Sequence, residues 1–146
     1  MIKISDDNQL IQKALGMAKK AWTPYSGFRV GAAVLLADGT VIGGNNQENR
    51  AYPLGSCAER VAVNYARANF PERQIVAIAV ASPDSDEPVT PCGGCREVLL
   101  EAVRAQQGAD IRVVMADRTG TRVRTALVTE LLPLAFAFDG KNRTLV

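Results

Sequence analysis

The stretch "IVAIAVAS", Ile75 to Ser82, sets the architecture of this 146-residue chain. It carries no charge and shows no alternation of apolar and polar residues, the pattern of a central strand covered on both faces. Such a strand requires a layer of helices above it and another below. The segment "PDSDEPVTPCGG" then leads into a helical pattern over about Cys95 to Gln106, and "IRVVMA" reads as a further strand. Before it, a helix from about Ala58 to Ala68 is stopped by Asn69 and Pro71. Nearer the start, Leu10, Ile11, Ala14, Leu15, Ala18, Ala21 and Trp22 recur at helical spacing. Ser5, Asp6 and Asp7 supply caps there, and Pro24 ends the helix. "FRVGAAVLL" and "TVIGG" flank Asp38-Gly39 as a β-hairpin. "TRVRTAL" follows "IRVVMA" across the turn "DRTG", too short a connection for a crossover, so these two pair antiparallel with the arginines outward. The expected fold is one α/β domain over residues 1–146, a mixed sheet between helices with an antiparallel final hairpin.

Composition excludes several classes of function. Apolar residues make up 47% and charged residues 22%, an ordinary globular balance. A net charge of +2, with basic residues scattered, leaves no footprint for nucleic acid. No apolar run reaches the ~18 residues of a membrane span, and "MIKISDDNQLIQKAL" lacks the apolar core and cleavage site of a signal peptide. A cytoplasmic location with reduced thiols is the expectation. The odd count of three cysteines also fits poorly with a disulfide framework.

Those three cysteines fall in two short segments, "CAERVAVNYA" from Cys57 and "TPCGGCREVLLEA" from Thr90. Cys57 begins one helical pattern; Cys92 and Cys95 begin another. A C-x-x-C pair spans about one turn, so both sulfurs can face one point, and a helix N-terminus favours the thiolate. Zinc is the metal that suits thiolates in a reducing cell. Three sulfurs, with no histidine in the chain, leave a fourth position for water, which leans toward catalysis rather than a closed structural site. Glu59, two residues after Cys57, is the group placed to act on that water. Each residue also has a plainer reading. A lone cysteine is more often a small buried hydrophobe, C-x-x-C can be a redox pair, Glu59 can complement a helix dipole, and Arg60 and Arg96 can be solvated surface charges. A zinc site explains them jointly.

The order Cys57-Ala58-Glu59 followed by Pro91-Cys92-Gly93-Gly94-Cys95 is the known zinc-deaminase signature. The wider sequence resembles the small, free-nucleoside cytidine deaminases. The resemblance runs from "PYSGFRVGAAV" through "NNQENRAYPLGSCAER" and "TPCGGCREVLLE" to "ELLPLAF", about 110 of the 146 residues. It implies a three-layer α/β/α sandwich, a zinc ion on Cys57, Cys92 and Cys95, and deamination of cytidine and deoxycytidine in pyrimidine salvage. Glu59 would move protons between water, N3 of cytosine and the departing amine. The Ala58 backbone would hold the pyrimidine, Phe28 would pack on its ring, and Asn46 and Glu48 would bind the ribose 3′-hydroxyl. Members of the family are homotetramers with shared active sites; Tyr52 and Phe136 resemble the residues borrowed from neighbours. Three thiolates and one zinc sum to −1, a charge that Arg60 and Arg96 would offset by hydrogen bonds to sulfur.

The chain departs from the family pattern at three places. Arg50 replaces the small residue after "NxEN", Glu97 replaces a Gln after Cys-Arg, and Leu134 replaces a Gly or small residue before Ala-Phe. Arg50 raises the question of an anionic group near the 5′ end of the substrate, and Glu97 that of competition for Arg60 or Arg96. Beside the cytidine reading stand two others: a deaminase of a modified cytosine nucleoside of the blasticidin type, and a non-catalytic zinc-stabilised module. Glu59 argues against the last, since a structural site has no use for it.

Overall fold

The computed structural model describes residues 6–137. Asp6 accepts a hydrogen bond from the Gln9 N–H at 2.9 Å and starts helix α1, Asp7–Ala18, as its residue type at an N-cap predicts. Ser5 lies outside the described residues. The apolar spacing runs on to Ala21 and Trp22, yet the helix stops at Ala18. Trp22 is drawn instead into backbone hydrogen bonds with Asn46 and Glu48. Strands β1, Gly31–Leu36, and β2, Val41–Asn45, form the expected hairpin, and Gly39 takes the left-handed conformation in its turn. Then follow α2, Ala58–Asn69; β3, Ile75–Ala81; α3, Gly93–Ala105; β4, Arg112–Ala116; and β5, Val123–Leu127. A short helix α4, Val128–Leu131, ends the series and was not legible in the apolar pattern. Helix α3 begins two residues before the expected Cys95, because Cys92 is its N-cap and both glycines join its first turn.

The sheet has the order β2-β1-β3-β4-β5, with β3 and β4 parallel and every other pair antiparallel. This is the mixed sheet with an antiparallel final hairpin, layered between helices, that the sequence predicts. The central strand lacks polar alternation but does alternate in size. Ala77, Ala79 and Ala81 face α1 and pack with Leu10, Ile11 and Ala14. Ile78 and Val80 face the other way, into the larger core with Val63, Leu99 and Val113. Strand β5 is one edge of the sheet and is largely exposed, so Arg124 within it and Arg122 just before it meet solvent.

Register positions the loops. Gly31 lies opposite both Asn45 and Ala81, and Ala81 opposite Ala116. The C-terminal ends of β2, β3 and β4 are therefore level, and the loops leaving β2 and β3 deliver α2 and α3 to that same end. Two glycines make the approach possible. A Cβ on Gly31 would lie 1.8 Å from the Ala14 carbonyl oxygen of α1, and one on Gly44 would lie 2.6 Å from the Ala58 carbonyl oxygen of α2. Backbone on both faces sits where a side chain would be.

Substituting Gly31→Ala should therefore destabilise by roughly 3 kcal/mol, the upper part of the usual overpacking range. Gly16→Ala is the internal control. Gly16 lies exposed within α1 with no atom within 4 Å of the added carbon, so the change should stabilise by about 0.5–1 kcal/mol. Urea midpoints of the two variants should move in opposite directions.

Candidate metal centre and catalytic site

At the level end of the sheet two helix N-termini meet. Cys57 is the N-cap of α2 and Cys92 that of α3, and neither side chain caps its own helix, which leaves both sulfurs free to point outward. Cys95 follows in the first turn of α3. The Cys57 and Cys92 sulfurs are 3.9 Å apart, those of Cys92 and Cys95 3.5 Å, and all three lie within 4.8 Å of one another. Tetrahedral zinc with bonds of about 2.3 Å sets its sulfurs roughly 3.8 Å apart. The residues present fit the ion in number, donor type and spacing. Both helix dipoles add positive potential at the cluster, which favours thiolates there.

Glu59 sits in the first turn of α2 with only 4% of its surface exposed. Burial, and secondly the charge at Cys57, push its carboxyl up to about 7. The thiols divide their protons unevenly. Cys57 is lowered to about 5, first because Cys95 hydrogen-bonds to it and then, against the effect of burial, by Cys92 and Arg60. Cys95 is raised well above the ordinary thiol range by that same hydrogen bond to Cys57, and by burial. Beside the Cys57 thiolate, Glu59 is a carboxyl able to hold or release a proton near neutrality.

The two arginines do different things. Arg60 acts on Cys57 through its charge, and its Nη2 donates to the Gly55 carbonyl at 2.9 Å. Arg96 is turned to backbone: Nε donates to the Pro91 carbonyl at 2.8 Å and Nη1 to that of Leu131 at 2.9 Å. It fastens the residue before Cys92 to the end of α4. Glu97 is exposed and, among the described residues, forms no ion pair with either arginine.

A cleft of about 220 Å³ opens beside Cys57, lined among others by Asn46, Glu48, Tyr52, Ser56 and Arg60. Asn46 accepts from the Val30 N–H at 2.8 Å and donates to the Phe28 carbonyl at 2.9 Å. Glu48 accepts from the N–H groups of Tyr25 and Ser26 and from the Ser26 hydroxyl. Both residues expected to meet the sugar therefore also hold the loop that carries Phe28. Ala58 is buried at the first position of α2. Tyr52 lies on the cleft, its ring 6.2 Å from that of Tyr25. Phe136 is elsewhere: its carbonyl is held by Arg104 near the far end of α3, and its ring is exposed. Arg50 is exposed and does not line the cleft, and Leu134 takes a left-handed φ of 51° where the family pattern has a Gly or small residue. Ser26, which links Glu48 to the Phe28 loop, was not singled out from sequence; "YSGF" signals a turn but not its partner.

Three sulfurs leave a zinc ion one position for water, and a buried carboxyl beside them can carry that water's protons. Fold and site thus define a zinc-dependent hydrolytic deaminase. The family model described as "Cytidine and deoxycytidylate deaminase zinc-binding region" matches residues 4–107. Cytidine deaminase from Halalkalibacterium halodurans is 42% identical over 137 residues, 94% of this chain and 98% of that one. The crystal structure of cytidine deaminase from Burkholderia pseudomallei superposes with a TM-score of 0.80 at 39% identity, covering 90% of this chain and 99% of the other. A more distant relative, blasticidin-S deaminase of Bacillus cereus, is 31% identical over 113 residues, 73% of this chain and 76% of that one. The chain belongs to the cytidine deaminase family.

Purified protein should carry close to one zinc per chain, and Cys57→Ser should lose most of it; elemental analysis reads both. A second expectation concerns pH. With the metal removed, Glu59 titrates near 7 when folded and at its ordinary 4.5 when unfolded. Folding takes up a proton between those values, so this group's contribution falls as pH rises from about 4.5 to about 7, by about 3 kcal/mol at most. Cys57, lowered in the fold, works with the opposite sign. Comparing urea midpoints of wild type and Glu59→Gln at about pH 5 and pH 8 isolates the carboxyl, and the variant should gain relative stability at the higher pH.

Proposed function

We propose that this protein hydrolyses the free nucleosides cytidine and 2′-deoxycytidine to uridine and deoxyuridine, releasing ammonia. The observation that carries the reading is Glu59, buried at the base of three convergent sulfurs with its carboxyl poised near 7. Zinc, held by Cys57, Cys92 and Cys95, would supply the Lewis acidity that makes water nucleophilic at neutral pH. Glu59 takes a proton from the attacking water and passes it to N3 of cytosine as the C4–O bond forms. It then takes the second proton from the new C4 hydroxyl and delivers it to the amine. The C4–N bond breaks, ammonia leaves and the C4 carbonyl forms, the one carboxyl serving as base and acid in turn. Arg60, through its charge beside Cys57, offsets the excess negative charge of three thiolates.

The family resemblance, together with the cleft, supports a reading of substrate binding. Phe28 packs on the pyrimidine and the Ala58 backbone meets its edge. Asn46 keeps one hydrogen and one lone pair beyond its loop contacts, and Glu48 keeps part of its acceptor capacity; together they read the sugar's 3′-hydroxyl. Closed over by bound nucleoside, polar partners of this kind reject analogues lacking the hydroxyl, which would leave them unpaired. At about 220 Å³ the cleft is smaller than the roughly 300–1,000 Å³ of common small-molecule pockets, and Tyr52 and Leu54 stand exposed around it. These features support a neighbour completing the site; the family resemblance makes that assembly a homotetramer, with Phe136 lent to another subunit's cleft.

Similarity to a blasticidin-S deaminase supports a second reading, action on a modified cytosine nucleoside, for which the proton transfers are the same. Loss of ultraviolet absorbance with cytidine, cytidine monophosphate and blasticidin as substrates separates the two. Cytidine should be turned over best. Glu59→Gln should keep its zinc and lose turnover by at least ~10²–10⁴-fold, the usual worth of general acid–base help; near-full activity in that variant would place the proton carrier elsewhere.

A further inference from the structure

The loop that carries Phe28 is fastened from several sides. Asn46 holds the backbone of Phe28 and Val30. Asp84 accepts from the Arg29 N–H and Nε at 2.9 Å each and from its Nη2 at 2.7 Å. Ser26 differs from these fasteners, because it touches the residues assigned to opposite halves of the nucleoside. Its Oγ donates to Oε2 of Glu48 and accepts from the Phe28 N–H at 3.0 Å. A hydroxyl has one hydrogen and a carboxylate has none to give, so the direction of this relay is set.

The same contacts limit what Glu48 can still accept. Oε1 takes the N–H of Tyr25 at 3.0 Å and that of Ser26 at 3.1 Å, and Oε2 takes the Ser26 hydroxyl. A carboxylate offers about four acceptor positions. Roughly one is left, on Oε2, and the Ser26 hydroxyl determines where it points. Those hydrogen bonds also keep Glu48 ionised, holding its carboxyl below the usual range, with Ser26 the largest cause.

We propose that Ser26 is a positioning residue for sugar recognition: its hydroxyl orients Oε2 of Glu48 toward a single sugar hydroxyl while the same oxygen sets the backbone of Phe28 against the base. This rests on the reading of Glu48 and Phe28 given above. Ser26 touches neither the reacting atoms nor the sulfurs, and Asn46 and Asp84 keep the loop in place when it is removed.

The test is steady-state kinetics of the zinc-loaded enzyme on cytidine and 3′-deoxycytidine. Ser26→Ala should reduce the ratio of kcat/KM between them by about tenfold, the worth of a charge-assisted hydrogen bond. The loss should fall on KM for cytidine, with kcat and zinc content retained. Ser26→Thr, which keeps a hydroxyl, should restore the ratio. Ser26→Cys, a weaker donor, should fall between and decides the matter if the alanine variant is unstable. An equal loss on both substrates would reduce Ser26 to a fold-stabilising residue and overturn the proposal. An unchanged ratio in Ser26→Ala, with the ratio collapsed in Glu48→Ala, would overturn it too while leaving Glu48 in its role. If Glu48→Ala also left the ratio unchanged, the assignment of Glu48 to the sugar would itself fail, and Ser26 with it.

Discussion

Everything at this site depends on bringing two helix N-termini close enough for three sulfurs to meet one ion. The tolerance is a few tenths of an ångström, because sulfur–sulfur distances around zinc follow from fixed bond lengths. Long surface side chains could not hold such a geometry; backbone contact can. Helix α2 is seated on bare backbone at Gly44, and the chain entering α3 is tied through Arg96 to the Pro91 and Leu131 carbonyls. The level ends of β2 and β3 bring both helices to the same edge. The metal centre is thus a property of the core, not of a loop, and its residues are prepared before any ligand arrives.

The substrate side is built differently. Its cleft is walled mainly by residues of the segment 46–56, which the loop 25–30 braces from behind through Asn46 and Glu48, and neither segment belongs to the sheet. Hydrogen bonds between the two replace strand pairing there, with Asn46 and Glu48 as the main partners. A rigid reaction centre thus adjoins a recognition surface whose shape is set by side chains. That division lets chemistry stay constant while the acceptable nucleoside changes with a few residues.

Much of this was legible in the sequence, and the reasons differ from residue to residue. The cysteines and Glu59 could be read because zinc chemistry restricts ligand type and because helix starts restrict spacing. The strands could be read because burial on both faces erases polar alternation in "IVAIAVAS". What could not be read depended on long-range partners. The end of α1 at Ala18, four residues before the apolar spacing ends at Trp22, is imposed by the chain around Asn46 and Glu48, far away in sequence. Arg96 has the type and position of a sulfur partner, and only the fold shows its guanidinium on two carbonyls. Ser26 looked like turn punctuation because its partner Glu48 lies twenty-two residues on. Local pattern reports the face a residue presents, and it is silent on what stands opposite.

The size alternation along β3 has a consequence for how such a chain can drift. On the α1 side, fully buried alanines pack against Leu10, Ile11 and Ala14, so a larger residue overpacks a layer that has no spare room. On the opposite side, branched residues interdigitate, and an exchange that conserves volume costs under about 1.5 kcal/mol. Neutral change is therefore channelled to one face of the strand. Over many generations the alanine face becomes the archive of the fold, and the isoleucine and valine face the margin on which lineages write.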